Sequence, residues 1–508
     1  MYHIIVKKTI KFQQITQHKK LAKKISCAIK TLNSKLLNYI IMKQFLKSVH
    51  AEDFINHEEI IRAVKFAEKN NNNRALIEHV LNKAKGYKGL SYIDTSILLA
   101  CRIPELNEKI YELAAQIKQQ FYGKRIVLFA PLYLSNHCVN HCVYCPYHAN
   151  NHDIQRIHLT QEQIRKEVIS LQDMGHKRLA IEVGEAPVNS IDYILESIRT
   201  VYNTKHKNGE IRRVNVNIAA TTVENYQKLQ QIGIGTYILF QETYHKENYE
   251  KLHPKGPKHD YAFHTEAMDR AMRAGIDDVG LGVLFGLSDY RYEVAALIMH
   301  AQHLEETFGV GPHTISFPRI KQAQGINLKQ FNLVDDETFA KIIACVRIAV
   351  PYTGMIISTR ESKECREQLL KYGISQISGG SKTAIGGYSS PNAGTEQFEV
   401  SDNRTLDEVI RWLLELGYLP SFCTACYRAG RTGDRFMNIC KQQQIANYCS
   451  PNALLTLKEY LEDYASPATK ALGEQRIAEH LPLLENKVKY LTSFRLDNIS
   501  KGYRDYRF

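Results

Sequence analysis

The chain has 508 residues, 66 lysines and arginines against 53 acids, a formal charge of +13 and 44% apolar residues. That apolar share predicts a full core, and no run approaches the ~20 apolar residues a membrane helix needs. Eleven cysteines without a secretory signal exclude a disulfide-stapled secreted protein and point to metal or redox use in a reducing compartment.

Residues 1–51 hold eleven lysines and no acid, which leaves 13 − 11 = +2 for the rest. The body is therefore nearly neutral and lacks the basic face that nucleic-acid binding requires. An acid-free leader fits an organelle presequence, although it also lacks arginine. Met42 opens a new stretch after which acids begin, so the leader equally reads as an upstream extension of a chain starting there. A basic arm touching nucleic acid or lipid is a third reading with no other support. The expected compartment is the cytoplasm, or a hydrogenosome-like or mitochondrial organelle if residues 1–51 are a presequence.

Residues 52–123 repeat apolar positions at helical spacing, as in Ile60, Ile61, Val64, Phe66 and Ala67, and form a helical preface. From residue 124 the pattern changes to short β-branched runs alternating with longer helical segments, the mark of βα units. Eight runs are counted: Arg125 to Ala130, Arg178 to Val183, Val214 to Ala219, Tyr237 to Gln241, Val279 to Phe285, Thr314 to Phe317, Met355 to Ser358 and Ile374 to Ser378. They predict an α/β fold, a closed TIM barrel over 124–390, followed by a mainly helical domain over 391–508. Chemistry is expected at the C-terminal ends of the strands.

The first run leads directly into Cys138, Cys142 and Cys145, a CX3CX2C spacing. Three thiolates are one too few to close a cubane that normally takes four, so one iron stays open. A zinc knuckle completed by His137, His141 or His148 is the rival. The spacing resembles that of radical S-adenosylmethionine (SAM) enzymes. The resemblance implies a 4Fe-4S cluster whose open iron chelates SAM, with Tyr144 beside the adenine. After the second run, Val183-Gly184-Glu185 resembles the Gly-Gly-Glu motif that holds the SAM amino group, with valine in place of the first glycine; Glu185 as a helix cap is the other reading. Arg319 follows the sixth run and Ser358-Thr359-Arg360 the seventh. An arginine fork with a serine suits a substrate carboxylate, and a barrel-rim ion pair is the alternative.

Beyond the barrel, Cys423, Cys426 and Cys449 form a second incomplete triad in a CX2CX22C pattern. Cys440 lies between them, so a four-cysteine zinc site stays open here. Ser421-Phe-Cys423-Thr-Ala-Cys426-Tyr-Arg, Cys449-Ser-Pro-Asn-Ala and Gly311-Pro-His-Thr-Ile-Ser are similar to the FeFe-hydrogenase maturases of the ThiH/HydG family, from about residue 52 to the C-terminus. The resemblance implies a tyrosine lyase that cleaves the Cα–Cβ bond of L-tyrosine to p-cresol and dehydroglycine (2-iminoacetate), with the carboxylate held on Ser358 and Arg360. It further implies conversion of the fragment to CO and cyanide on an auxiliary iron-sulfur cluster at the second triad. An additional labile iron there takes a barrel histidine, for which His303 is preferred over His300 and His313. The implied partners are SAM, L-tyrosine, an electron donor such as ferredoxin or flavodoxin, and other hydrogenase maturases; neither nucleic acid nor membrane is expected. The alternatives are a ThiH-like 2-iminoacetate synthase serving thiazole formation, which needs no second triad, and a zinc-stabilised scaffold without activity.

Overall fold

The computed structural model describes residues 49–390, 394–442 and 444–508, so the basic leader called over 1–51, and Cys27 with it, lies almost wholly outside the described residues. Eight parallel strands close into a ring: β1 (Arg125–Ser135), β2 (Arg178–Val183), β5 (Arg213–Asn217), β6 (Tyr237–Ile238), β7 (Val279–Gly282), β8 (Thr314–Ser316), β9 (Gly354–Ile357) and β10 (Gln376–Ser378). β10 pairs back onto β1, with Val127 opposite Gln376. All eight predicted runs are strands, mostly trimmed by a few residues, while β1 extends five residues further than expected. A two-residue hairpin of β3 (Lys205–His206) and β4 (Gly209–Glu210) sits between β2 and β5.

The sequence reading missed a ninth parallel strand, β11 (Leu419–Ser421). β11 pairs with the first residues of β1, Arg125 opposite Leu419, whereas β2 joins β1 only from Ala130 onward. Its central Pro420 carries no ladder donor, consistent with an edge position. The pairing places residues 422–426 at the N-terminal end of the barrel, below the start of β2. There the Arg178 Nη1 donates to the Cys423 carbonyl at 2.7 Å.

The preface is helical as expected. Asn56 and Asn73 cap His57–Lys69 and Arg74–Ala84, and a Ser91/Asp94 capping box starts Tyr92–Ala100. His57–Lys69 and Tyr92–Ala100 pack on the barrel helix Tyr290–Phe308, Tyr92–Ala100 also on Asp336–Ala349, and Arg74–Ala84 packs on Tyr92–Ala100. The helix Ala446–Asp463 carries Cys449 and packs on β11 and on the helix Asn486–Ser500. Residues 50–508 form one compact unit, with β11 tying the C-terminal segment to the barrel.

After β10 the chain folds back across the upper end of the barrel. Gln397 N donates to the Thr383 carbonyl at 3.3 Å and Ser401 N to that of Thr359 at 3.0 Å. The strap is anchored by buried Asp402, which pairs with Arg366 and with Arg404. Removing one partner of a buried ion pair leaves an uncompensated charge and costs ~3–5 kcal/mol. Asp402→Ala is therefore expected to destabilise the apoprotein by about that amount in denaturant unfolding. A loss below ~1 kcal/mol would show that the strap is not anchored there.

Candidate active site and a second cysteine cavity

The loop after β1 is wound around one side chain. Arg156 donates to the carbonyls of Asn136 (2.7 Å), Tyr147 (2.8 Å), His148 (2.7 Å) and Asn151 (3.1 Å). A guanidinium with several rigid donors can pin four carbonyls at once, and this fixes residues 136–151 without regular structure. Cys138, Cys142 and Cys145 thereby reach the wall of a cavity of about 240 Å³ at the C-terminal end of the barrel. The three histidines weighed as a zinc ligand are not in that wall.

Gly184 joins β2 to this loop. A Cβ there would lie 2.4 Å from the His137 carbonyl oxygen and 3.3 Å from the Cys138 Cβ, so only glycine lets the two backbones meet. Val139 N donates to the Glu185 carbonyl at 2.8 Å, and Asn140 Nδ2 donates to the Glu185 carboxylate at 2.6 Å. Asn140 also lies 3.8 Å from the Cys138 sulfur and accepts from Lys258 N at 2.8 Å. Burial raises the Glu185 carboxyl above its ordinary range. Tyr144 lines the same cavity, and its hydroxyl donates to His253 Nε2 at 2.7 Å. The direction follows because His253 Nδ1 faces the Tyr249 carbonyl at 2.7 Å and must carry the ring proton. Burial holds His253 neutral, with its pKa lowered to about 2.

Two acidic residues in this wall were missed by the sequence reading. Glu182 stands two positions before Gly184 on the inward face of β2, where strict alternation with Ala180 could have found it. It accepts from Asn217 Nδ2 at 2.7 Å, and burial raises its pKa to about 8. Glu242 follows β6 with φ of 68° and pairs with Lys258 at 2.8 Å. A non-glycine residue held in that region marks a backbone constrained by its surroundings.

The two predicted arginines part company. Arg319 donates to Glu361 from two nitrogens, lies 2.7 Å from Asp336, and donates to the Val334 carbonyl at 2.8 Å. It does not line the cavity and forms the barrel-rim ion pair, so its expected substrate role is corrected. Ser358 and Arg360 do line it. Arg360 stacks 3.6 Å over Phe398, and its one side-chain hydrogen bond goes to the Arg319 carbonyl at 3.3 Å. Its buried Nε has no hydrogen-bond partner, and no carboxylate pairs with it among the described residues. A half-buried guanidinium facing a cavity without a counter-ion can take an incoming carboxylate.

At the opposite end, Cys423, Cys426 and Cys449 line a smaller cavity of about 80 Å³. Cys449 lies beside the Cys426 thiol and Arg125, which together hold its own thiol well below the usual range. The preferred histidine is not there. His303 Nε2 donates to Asp269 at 2.9 Å and its ring stacks on Phe54 at 3.9 Å, a buried structural setting. His300 faces the Tyr244 hydroxyl at 2.9 Å. His313 is the histidine of this wall: it is buried, 4.8 Å from the Phe436 ring, with Nδ1 3.5 Å from the Asp278 carboxylate. Gln376 on β10 forms part of the wall of both cavities.

Both triads fit iron-sulfur clusters better than single zinc ions. Tetrahedral zinc with bonds of ~2.3 Å needs sulfurs ~3.8 Å apart. Among the described residues, neither triad brings all three sulfurs within 4.8 Å of one another. Asp336, Glu361 and Cys365 do lie that close, but Arg319 and Lys321 already neutralise the carboxylates.

A parallel eight-stranded barrel with this cysteine loop at its C-terminal mouth defines a radical SAM enzyme. Residues 132–298 match the Radical SAM superfamily and residues 316–419 the Biotin and Thiamin Synthesis associated domain. The 2-iminoacetate synthase of Salmonella typhimurium is 30% identical over 353 residues, 69% of this chain and 90% of that protein. The crystal structure of HydG, a maturase of the FeFe-hydrogenase, superposes with a TM-score of 0.87 at 54% identity, covering 90% of this chain and all of that one. HydG from Carboxydothermus hydrogenoformans gives 0.78 at 37% identity, covering 88% and 99%. The chain belongs to the HydG family of radical SAM enzymes.

Gly184→Ala is expected to push the cysteine loop away, costing ~1–3 kcal/mol and lowering iron at the first triad; unchanged iron and sulfide content would contradict the close approach. Glu182 gives a pH prediction. Folded, it keeps its proton up to about 8 against an ordinary 4.5, so its contribution to stability is present below 4.5 and lost as pH rises through 8. Glu182→Gln should flatten the fall in apoprotein melting temperature over that interval, and parallel curves for both proteins would refute the assignment.

Proposed function

We propose that the chain is a radical SAM tyrosine lyase that cleaves L-tyrosine to p-cresol and dehydroglycine at the first cavity and converts the fragment to CO and cyanide at the second, for the FeFe-hydrogenase active site. The observation that carries the reading is Arg360, a half-buried guanidinium without a carboxylate partner in the cavity that also holds Cys138, Cys142 and Cys145.

A 4Fe-4S cluster with an open iron, when bound, would supply the electron for reductive cleavage of SAM. Cys138, Cys142 and Cys145 would hold that cluster, and the Arg156 clamp sets their positions. Glu185, fixed by Asn140, accepts from the SAM ammonium, and Tyr144, fixed by His253, flanks the adenine. Ser358 and Arg360 hold the tyrosine carboxylate, with Phe398 covering the guanidinium face and shielding it from water, which strengthens the charge pair. Glu182, protonated at neutral pH, places a hydrogen-bond donor in the same wall without adding a second negative charge beside the carboxylate.

Cys423, Cys426 and Cys449 would hold the auxiliary cluster, with His313 available to the additional labile iron. Gln376 stands in the wall of both cavities, and passage of the fragment past it inside the barrel is part of the proposal. The 2-iminoacetate synthase reading accounts for the first cavity alone; the second cavity, with its own triad, favours the maturase. Ferredoxin or flavodoxin is proposed as electron donor and other maturases as recipients.

Anaerobic turnover with SAM, dithionite and L-tyrosine tests this. Wild type should form p-cresol, CO and cyanide, whereas Cys423→Ser/Cys426→Ser should form p-cresol and lose both diatomics. Arg360→Lys removes the planar fork, and kcat/KM for p-cresol should fall ~100-fold, about 2.7 kcal/mol of transition-state stabilisation. No p-cresol from a wild type with full iron and sulfide would overturn the tyrosine assignment.

A further inference from the structure

The strap after β10 lays two neighbouring side chains against the first cavity, Gln397 and Phe398. Thr383 holds this pair from both sides: Gln397 N donates to its carbonyl at 3.3 Å, and its Oγ1 donates to the Phe398 carbonyl at 3.0 Å. Two further ties fix the strap against the rest of the site. Tyr147, in the cysteine loop, donates its hydroxyl to the Thr395 carbonyl at 3.1 Å. Ser401 N and Asp402 N both donate to the Thr359 carbonyl, at 3.0 and 3.1 Å, and Ser401 Oγ donates to the Arg360 carbonyl at 2.9 Å. Gln397 is thus held between the cysteine loop and the Arg360 loop, next to the ring that covers the Arg360 guanidinium.

One bond orients the Gln397 amide. The buried Tyr133 hydroxyl donates to Gln397 Oε1 at 2.9 Å, and burial keeps that phenol protonated by raising it well above its usual range. The acceptor end of the amide is therefore taken, and its nitrogen, with two N–H donors, is the end left for the cavity. That nitrogen donates to no group among the described residues. A substrate ammonium has only donors and cannot pair with it. A carboxylate offers about four lone-pair sites, of which the Arg360 fork fills two and Ser358 a third. The remaining site suits a neutral donor, which adds a hydrogen bond without setting a second cation beside Arg360.

We infer that Gln397 is a substrate-binding residue that donates its amide N–H to the α-carboxylate of the amino-acid substrate, completing the site of Ser358 and Arg360, with Tyr133 as its positioning residue. The strap then contributes to the choice of substrate, since its donor recognises a carboxylate and not an amine. This inference rests on the reading of the first cavity as the tyrosine site.

The test uses the full-length, reconstituted enzyme with SAM and dithionite, assayed for p-cresol from L-tyrosine. Two inhibitors each keep one head group: 3-(4-hydroxyphenyl)propanoate has the carboxylate without the amine, and tyramine the amine without the carboxylate. Gln397→Met keeps the length of the side chain and removes both donors. KM for L-tyrosine and the inhibition constant of the propanoate should each rise ~10-fold, the loss expected for a hydrogen bond to a charged group. Because that contact is made equally in ground and transition states, kcat should stay within about twofold, as should the inhibition constant of tyramine. Gln397→Glu sets a second carboxylate against the first and should raise the same two constants further. Tyr133→Phe, which lets the amide turn, should shift them in the same direction by a smaller factor, and serves if Gln397→Met does not take up its clusters. Equal shifts for both inhibitors, a shift confined to tyramine, or no shift overturns the role of Gln397 and leaves the lyase standing. No p-cresol from a wild type with full iron and sulfide overturns the tyrosine reading itself, and this inference with it.

Discussion

Strand β1 makes three pairings, and the arrangement of both cavities follows from them. On one edge it receives β10, which closes the ring; on the other it receives β2 along its upper part and β11 along its first residues. Because all these strands run parallel, the ring has two chemically distinct ends. The first triad follows β1 at its C-terminal end, and the second follows β11 at the N-terminal end. Closure encloses the interior, as radical chemistry needs, and separates the two sets of thiols by the height of the barrel.

Polar clamps then set the details. Arg156 holds the irregular cysteine loop by its carbonyls, Gly184 lets β2 approach it, and Asn140 relays that position to Glu185 and Lys258. Glu361 engages Arg319, so the neighbouring Arg360 keeps its guanidinium free for the cavity. One carboxylate thus decides which of two adjacent arginines is structural. The histidines are separated by position and not by charge: Asp269 pairs with His303 and Asp278 lies 3.5 Å from His313 Nδ1, but only His313 lines the second cavity.

The barrel was legible because its alternation of short β-branched runs and helical segments is a local signal, and so were the triads, whose meaning lies in spacing. Ser358 and Arg360 could be placed from their position after a strand. β11 escaped because a three-residue strand with proline at its centre has no periodicity to read. His303 was preferred over His313 on helical geometry alone; each has a carboxylate beside it, and what separates them is the cavity beside β11, which His313 lines and His303 does not. Arg319 and Arg360 both follow strands, and only the tertiary position of Glu361 tells them apart. Glu182 was visible in the alternation of β2 but was overshadowed by the glycine and glutamate beside it. The leader over 1–51 stays a reading of composition.

The central claim is that one barrel carries two iron-sulfur sites, one at each end. Anomalous diffraction from crystals of the anaerobically reconstituted protein, collected on both sides of the iron and zinc absorption edges, tests it most directly. The account predicts iron peaks beside Cys138, Cys142 and Cys145 and beside Cys423, Cys426 and Cys449, with neither site responding at the zinc edge. Iron at the first triad with zinc or no metal at the second would contradict it.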